Sequence, residues 1–189
     1  YNLIRKLIED YEVQAVVHTS PEDPVPGVHY HLIDLSGEWC ADQLPKQIGT
    51  VIHLAQSSRF RDFPEQALDI FSVNVESTAR LLDYACRIGV NRFIYASSGG
   101  IYGSGSNAFN EDSPIIPPGQ LGYYLGSKLC GEVLTRSYAS QMESTVLRFF
   151  FMYGPRQKRT MLIPRLVDNI KAGRLISLQG ENGIRIEYI

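Results

Sequence analysis

The run Phe93-Ile94-Tyr95-Ala96-Ser97-Ser98 decides how this chain folds. Its side chains are apolar on both alternating faces until the terminal serines. A strand of that kind needs cover on both sides, which is the condition of a parallel sheet packed between helices. Its flanks agree. A long helical pattern over roughly 64–88 precedes it, with Pro64 near the start and Gly89 suited to the C-terminal cap. A second spans roughly 121–140. Further extended runs are Val13-Gln14-Ala15-Val16-Val17, His29-Tyr30-His31-Leu32-Ile33, Val51-Ile52-His53-Leu54-Ala55 and Thr145-Val146-Leu147-Arg148-Phe149-Phe150. Shorter helices are expected over 2–11, 38–47 and 160–172, with 174–178 extended. Pro21, Pro24, Pro26 and Gly27 mark one loop, residues 105–119 another, and Tyr153-Gly154-Pro155 ends the last long strand. Strand and helix alternate, so the expected fold class is α/β, a doubly wound parallel sheet. Such sheets bind ligands beyond the carboxyl ends of their strands. Asp34, Gln56 and Ser98 all fall at such ends.

The bulk properties narrow the partners. A net charge of −2 over 189 residues gives no electrostatic footing for nucleic acid or an anionic membrane. No apolar run approaches the ~20 residues that span a bilayer. The opening Tyr1-Asn2-Leu3-Ile4-Arg5-Lys6 lacks the basic-then-apolar layout of a secretory signal. Cys40, Cys86 and Cys130 are odd in number and widely spaced, which suits a reducing, cytoplasmic setting and argues against a disulfide framework. His29 and His31 alternate onto one strand face, but no carboxylate or cysteine motif joins them, so no metal site is expected.

The chemistry gathers at Tyr124-Leu125-Gly126-Ser127-Lys128. On a helix, residues four apart share a face, so the phenol and the ammonium come within reach. A free tyrosine titrates near ~10, and a cation alongside favours the phenolate. Ser98 could hold the same substrate oxygen from the strand end. The trio reads as a device that moves a proton on and off a carbinol or carbonyl oxygen. The plainer alternatives are a surface tyrosine beside a lysine, a turn serine, and a rival hydroxyl on Ser97. Asp34 has a plainer alternative too, as the cap of a following helix.

Several ordered stretches resemble the extended short-chain dehydrogenase/reductases, the NAD-dependent epimerase/dehydratase group. Val51-Ile52-His53-Leu54-Ala55 is similar to the strand that usually ends His-Leu-Ala-Ala. Asn74-Val75 with Thr78 and Leu81-Leu82 is similar to Asn-Val-x-Gly-Thr-x-Asn-Leu-Leu. Ser97-Ser98 with Ile101-Tyr102-Gly103 matches Ser-Ser-x-x-Val-Tyr-Gly. Tyr124, Ser127, Lys128 and Glu132 match Tyr-x-x-Ser-Lys-x-x-x-Glu. Leu147-Arg148 with Tyr153-Gly154-Pro155-Arg156-Gln157 matches Leu-Arg-x-x-Asn-x-Tyr-Gly-Pro-Arg-Gln.

The resemblance implies a Rossmann-like NAD(P)-binding domain over 1–150 and the start of a smaller substrate-binding domain over 151–189. It implies that Tyr124 is the general acid/base, that Lys128 binds the nicotinamide ribose and acidifies Tyr124, and that Ser98 orients the substrate oxygen. Asp34 and Leu35 would border the adenine. Leu54, Ala55 and Gln56 would line the pyrophosphate–ribose path, and Asn74 would belong to the cofactor site. Phe151, Arg156 and Arg185 would meet a nucleotide-linked sugar, with Arg156-Gln157-Lys158-Arg159 facing its diphosphate. The implied reaction is epimerisation through a transient keto-sugar. A one-way reductase of a keto-sugar or other carbonyl, and a dinucleotide-binding protein without turnover, stay open beside it. The cofactor is NAD or NADP, since His18-Thr19 stand where an NAD-preferring member would carry an acid. A homodimer through the two long helices is also implied.

Three departures stand out. The glycine-rich turn that seats a pyrophosphate should precede residue 1, so the chain is expected to be a piece of a longer protein. Gly99-Gly100 replace the Asp-Glu pair of sugar 4,6-dehydratases, which argues against dehydration. Phe151 replaces an Asn that contacts substrate in many epimerases.

Overall fold

The structure is a computed structural model and describes residues 1–105 and 108–176. The chain divides into two compact units, one over Tyr1–Arg148 and one that begins at Phe149.

In the first unit, β1 (Gln14–Val17) pairs parallel with β2 (His29–Leu32), Gln14 opposite His29 and Val17 opposite Leu32. Strand β3 (Thr50–His53) pairs parallel with β4 (Arg92–Ser98), Thr50 opposite Arg92 and His53 opposite Tyr95. Strand β5 (Glu143–Phe149) lies on the other side of β4. Parallel pairing requires long crossovers rather than hairpins, which the alternation of apolar runs and helical patterns supplies. Among the described residues the sheet is in two parts, β1-β2 and β3-β4-β5, rather than the single sheet expected.

The helices depart from expectation in instructive places. Helix α1 covers only Asn2–Leu7, with no side-chain cap at Tyr1. Residues 38–47 form a single tight turn at Ala41–Gln43 instead of a helix. Leu44 precedes Pro45 and is extended, as the proline ring demands of the residue before it. The long pattern over 64–88 resolves into α2 (Ala67–Phe71), one wide π-helical turn (Ser72–Glu76) and α3 (Ser77–Arg87). Helix α3 buries Thr78, Leu81, Leu82 and Ala85, the i, i+3, i+4, i+7 stripe of a helix on a sheet. With Phe93, Tyr95, Val90 and Met142 they form the core, which Ile33, Trp39 and Leu44 close from the loops. No helix follows Asp34 to be capped. Its carboxylate instead accepts from the Ser36 N–H at 2.9 Å and the Ser36 hydroxyl at 2.7 Å. Buried His53 donates Nε2–H to Thr78 Oγ1 at 3.0 Å, while the Thr78 hydroxyl donates to the Asn74 carbonyl.

Helix α4 (Gly122–Ser137) lies against β4. Gly131 in its middle has a steric cause: a Cβ there would stand 2.2 Å from the hydroxyl of buried Tyr95. One turn of α4 therefore sits against the strand at a distance only glycine permits. In the second unit, α5 (Leu162–Lys171) carries Asp168, which pairs with Arg159 at 2.8 Å. Phe150 and Phe151 are exposed, Phe151 at 71%. Residues 174–176 are not extended, and 177–178 lie outside the described residues. Among the described residues no helix is long and apolar enough to cross a membrane.

Two outcomes follow from this packing. Gly131→Ala should destabilise the full-length protein by ~1–3 kcal/mol in urea unfolding, the range for overpacking a core. Burial also pulls His53 down from 6.5 to about 3. The unfolded chain then takes up this proton before the folded one does. Unfolding free energy should fall as pH drops from 6.5 towards 3, and His53→Gln should flatten that stretch of the stability curve.

Candidate active site

The carboxyl ends of β3 and β4 and the first turn of α4 bring the candidate residues together. Strand β4 ends in two serines, and their pleat sends them different ways. The Ser97 hydroxyl turns inward and donates to Glu132 Oε1 at 2.5 Å. Ser98 caps the tight turn Gly99–Tyr102, accepting from the Gly100 N–H at 3.2 Å, and its hydroxyl also bonds the Tyr124 phenol. Ser98 thus faces Tyr124, while Ser97 is committed to the interior.

The Tyr124 hydroxyl donates to Gln56 Oε1 at 3.0 Å. Burial pushes this phenol up from its ordinary value, and the Ser98 hydrogen bond opposes the rise. The lowering expected from the Tyr124–Lys128 spacing is not what the chain alone sets up. Lys128 is 2% exposed, and its ammonium donates to the Ala96 carbonyl at 2.9 Å and lies over the Tyr95 ring. Burial pulls that ammonium down to about 8. The cation thus sits beneath the site on a strand carbonyl, and its pull on the phenol is not the dominant effect.

Asn74 is expected as a cofactor contact but is fully buried. Its Oδ1 accepts from the Ser57 N–H at 2.9 Å, and its Nδ2 donates to Ser127 Oγ at 2.9 Å. Ser127 Oγ in turn donates to the Tyr124 carbonyl at 2.7 Å. The wide turn at Ser72–Glu76 carries Asn74, whose amide ties the loop after β3 to the first turn of α4. Beneath this, Arg148 of β5 forks onto Glu132, Nε to Oε1 at 3.0 Å and Nη2 to Oε2 at 2.8 Å, and donates Nη1 to the Tyr102 hydroxyl at 2.6 Å.

A cavity of about 200 Å³ opens beside Gln56. Its lining includes Val16, His18, Asp34, Leu35, Ala55 and Gln56, from the ends of three strands. The Ser36 hydrogen bonds, first the hydroxyl's and then the backbone N–H's, hold the Asp34 carboxyl below its ordinary value, with His18 at 3.5 Å. An ionised acceptor flanked by apolar side chains fits a nucleoside, whose ribose offers donors and whose base needs cover. Leu54 is exposed at the end of β3 and does not belong to that lining.

Phe151 and Arg156 lie in the second unit, Arg156 with a positive φ of 69°. Arg185 lies outside the described residues. The His29 and His31 rings touch at 4.6 Å, and His31 also bonds Gln14. Among the described residues no cluster of three metal-ligating side chains occurs. Two site contacts are not foreseen from the motifs. One is the Gln56–Tyr124 bond, across 68 residues. The other is Phe60, whose ring packs 4.9 Å from that of Tyr124. The aromatic content of Phe60–Phe63 ahead of a helix is the only signal that could have pointed there.

The sequence matches the model of the NAD dependent epimerase/dehydratase family over residues 1–188. It is 32% identical over 144 residues to 3beta-hydroxysteroid dehydrogenase/Delta(5)-Delta(4) isomerase 1 of Caenorhabditis elegans, covering 75% of this chain and 31% of that protein. It is 33% identical over 134 residues to a dTDP-glucose 4,6-dehydratase of Streptomyces griseus, covering 69% of this chain and 40% of that one. The fold superposes on a crystal structure of UDP-glucuronic acid 4-epimerase from Bacillus cereus in complex with NAD, with a TM-score of 0.76 and 25% identity. That match covers 92% of this chain and 59% of the other. The chain therefore spans less than two thirds of the length of each.

The Asn74 bridge yields a direct outcome. Asn74→Ala leaves the Ser57 N–H unpaired in the interior, at a cost of ~1–3 kcal/mol in urea unfolding.

Proposed function

Because this chain belongs to the NAD-dependent epimerase/dehydratase family, we propose that the whole protein epimerises a nucleotide-linked sugar through a transient keto-sugar. Residues 1–150 would form its dinucleotide-binding domain and 151–189 the start of its substrate-binding domain. The observation that carries this reading is the Tyr124 hydroxyl, half-buried and bonded to Ser98 and Gln56 at the carboxyl ends of β3 and β4. Asp34 and Leu35 would hold the adenosine half of NAD, for which their cavity has suitable chemistry, and Lys128 would hold the nicotinamide ribose. NADP stays open, since His18 rather than an acid ends β1.

When bound, the dinucleotide supplies the acceptor and donor of hydride. With its own proton first lost to solvent, Tyr124 Oη as phenolate receives the proton of the sugar hydroxyl as the carbon–hydrogen bond is lost, and returns it when hydride comes back on the other face of the keto-sugar. Ser98 Oγ orients that oxygen by hydrogen bonding. The raised phenol is the form that gives the proton back, and the Ser98 bond eases its loss. Epimerisation is favoured over dehydration because Gly99-Gly100 offer no acid. A Cβ at Gly100 would meet Leu125 at 3.0 Å and Ser98 Oγ at 3.2 Å, so a larger side chain there would crowd the serine. Phe151, Arg156 and Arg185 are the candidate substrate contacts. We further propose a homodimer through the two long helices, where Leu68, Phe71 and Val133 are exposed.

A second reading has one observation behind it. Phe151 is an exposed aromatic where many epimerases carry an Asn, and one relative is a 3beta-hydroxysteroid dehydrogenase/Delta(5)-Delta(4) isomerase. That combination favours a one-way oxidoreductase. Screening the full-length protein against UDP-, GDP-, CDP- and dTDP-sugars, with sugar identity and nicotinamide absorbance followed together, separates the two. Epimerisation changes the sugar without net cofactor change; a reductase consumes reduced cofactor. Tyr124→Phe should lower turnover by at least ~100-fold, within the ~10²–10⁴ such groups contribute. A variant that retains most of the wild-type rate would discard the mechanism.

A further inference from the structure

Gln56 lies just past the end of β3 and is exposed, yet its amide oxygen reaches the hydroxyl of Tyr124. The Phe60 ring packs against the phenol ring at a 46° tilt and limits where that ring can lie. What remains free is the direction of the O–H bond. Two side chains meet it, Ser98 from β4 and Gln56 from the loop after β3.

The type of side chain matters here. A phenol needs an acceptor and a phenolate needs a donor. A primary amide carries both, the acceptor on Oε1 and two donors on Nε2. A half-turn of the amide exchanges them without moving the backbone. A carboxylate could serve only the phenol and would repel the phenolate. A hydrocarbon could serve neither.

We propose that Gln56 is a positioning residue for Tyr124, holding its hydroxyl in both protonation states and releasing it to the substrate oxygen. The phenol presents its proton to Oε1; after the proton has gone, Nε2–H points at the phenolate oxygen. Tyr95 of β4 is the titratable neighbour that interacts with this phenol. Lys128 lies one turn along α4 with its ammonium on Ala96. This inference rests on the acid–base reading of Tyr124.

The test is a spectrophotometric titration of the full-length protein saturated with NAD. The near-ultraviolet phenolate band is followed against pH in the wild type, Gln56→Glu and Tyr124→Phe. Subtracting Tyr124→Phe isolates the phenol of interest. Gln56 is exposed on a loop, so Gln56→Glu should keep the wild-type thermal midpoint. The expected result is a Tyr124 transition that Gln56→Glu moves up by about one pH unit or more, since a carboxylate disfavours a neighbouring anion. A Tyr124 transition that stays in place in Gln56→Glu overturns the role of Gln56 and leaves the acid–base tyrosine standing. If Tyr124→Phe removes no transition from the wild-type titration, both fail together.

Discussion

Three contacts in register hold helix α4 to strand β4, and the candidate site depends on them. Lys128 reaches the Ala96 carbonyl, Gly131 accepts the Tyr95 hydroxyl into the space of its missing Cβ, and Glu132 receives the Ser97 hydroxyl. Positions 128, 131 and 132 share a helix face, and 95–97 are successive along the strand. Tyr124 stands one turn before Lys128. The helical turn that carries its phenol is therefore placed by contacts deeper in the molecule, and the loop side chains of Gln56 and Phe60 then meet the phenol. The Glu132–Arg148 pair carries this arrangement across to β5. A buried ion pair is weak as a source of stability, but it fixes one arrangement, because any other leaves a charge unpaired.

The electrostatics follow from the same burial. Taking the phenol and the ammonium out of water moves their values apart, the phenol up and Lys128 down to about 8. Burial favours the neutral form of each. The Ser98 hydrogen bond acts in the opposite sense on the phenol alone. The serine therefore offsets part of what burial imposes on the tyrosine.

Much of this was legible in the sequence, and for physical reasons. Strands β3 and β4 are short runs with little choice but a covered sheet, and the α3 stripe from Thr78 to Ala85 has one period. The ordered family motifs placed Ser98, Tyr124 and Lys128 on neighbouring elements. What escaped lies in tertiary contact. The amide of Asn74 was a candidate ligand in sequence, but a wide turn within an otherwise regular helix aims it at Ser57 and Ser127. The ammonium of Lys128 had a phenol four residues away and took a strand carbonyl instead. Gln56 carries no periodicity or spacing that would couple it to a tyrosine 68 residues on. Residues 38–47 had a helical pattern, and Pro45 limited it to one turn.

The central claim is that the Tyr124 oxygen is the atom that exchanges a proton with the substrate. A crystal structure of the full-length protein with NAD and a bound nucleotide sugar tests it most directly. The account predicts Tyr124 Oη within ~3 Å of the reacting sugar oxygen, the reach of a hydrogen bond, with Ser98 Oγ on the same oxygen. A sugar bound productively against the nicotinamide, with its reacting oxygen held by other groups and out of reach of Tyr124, would contradict it.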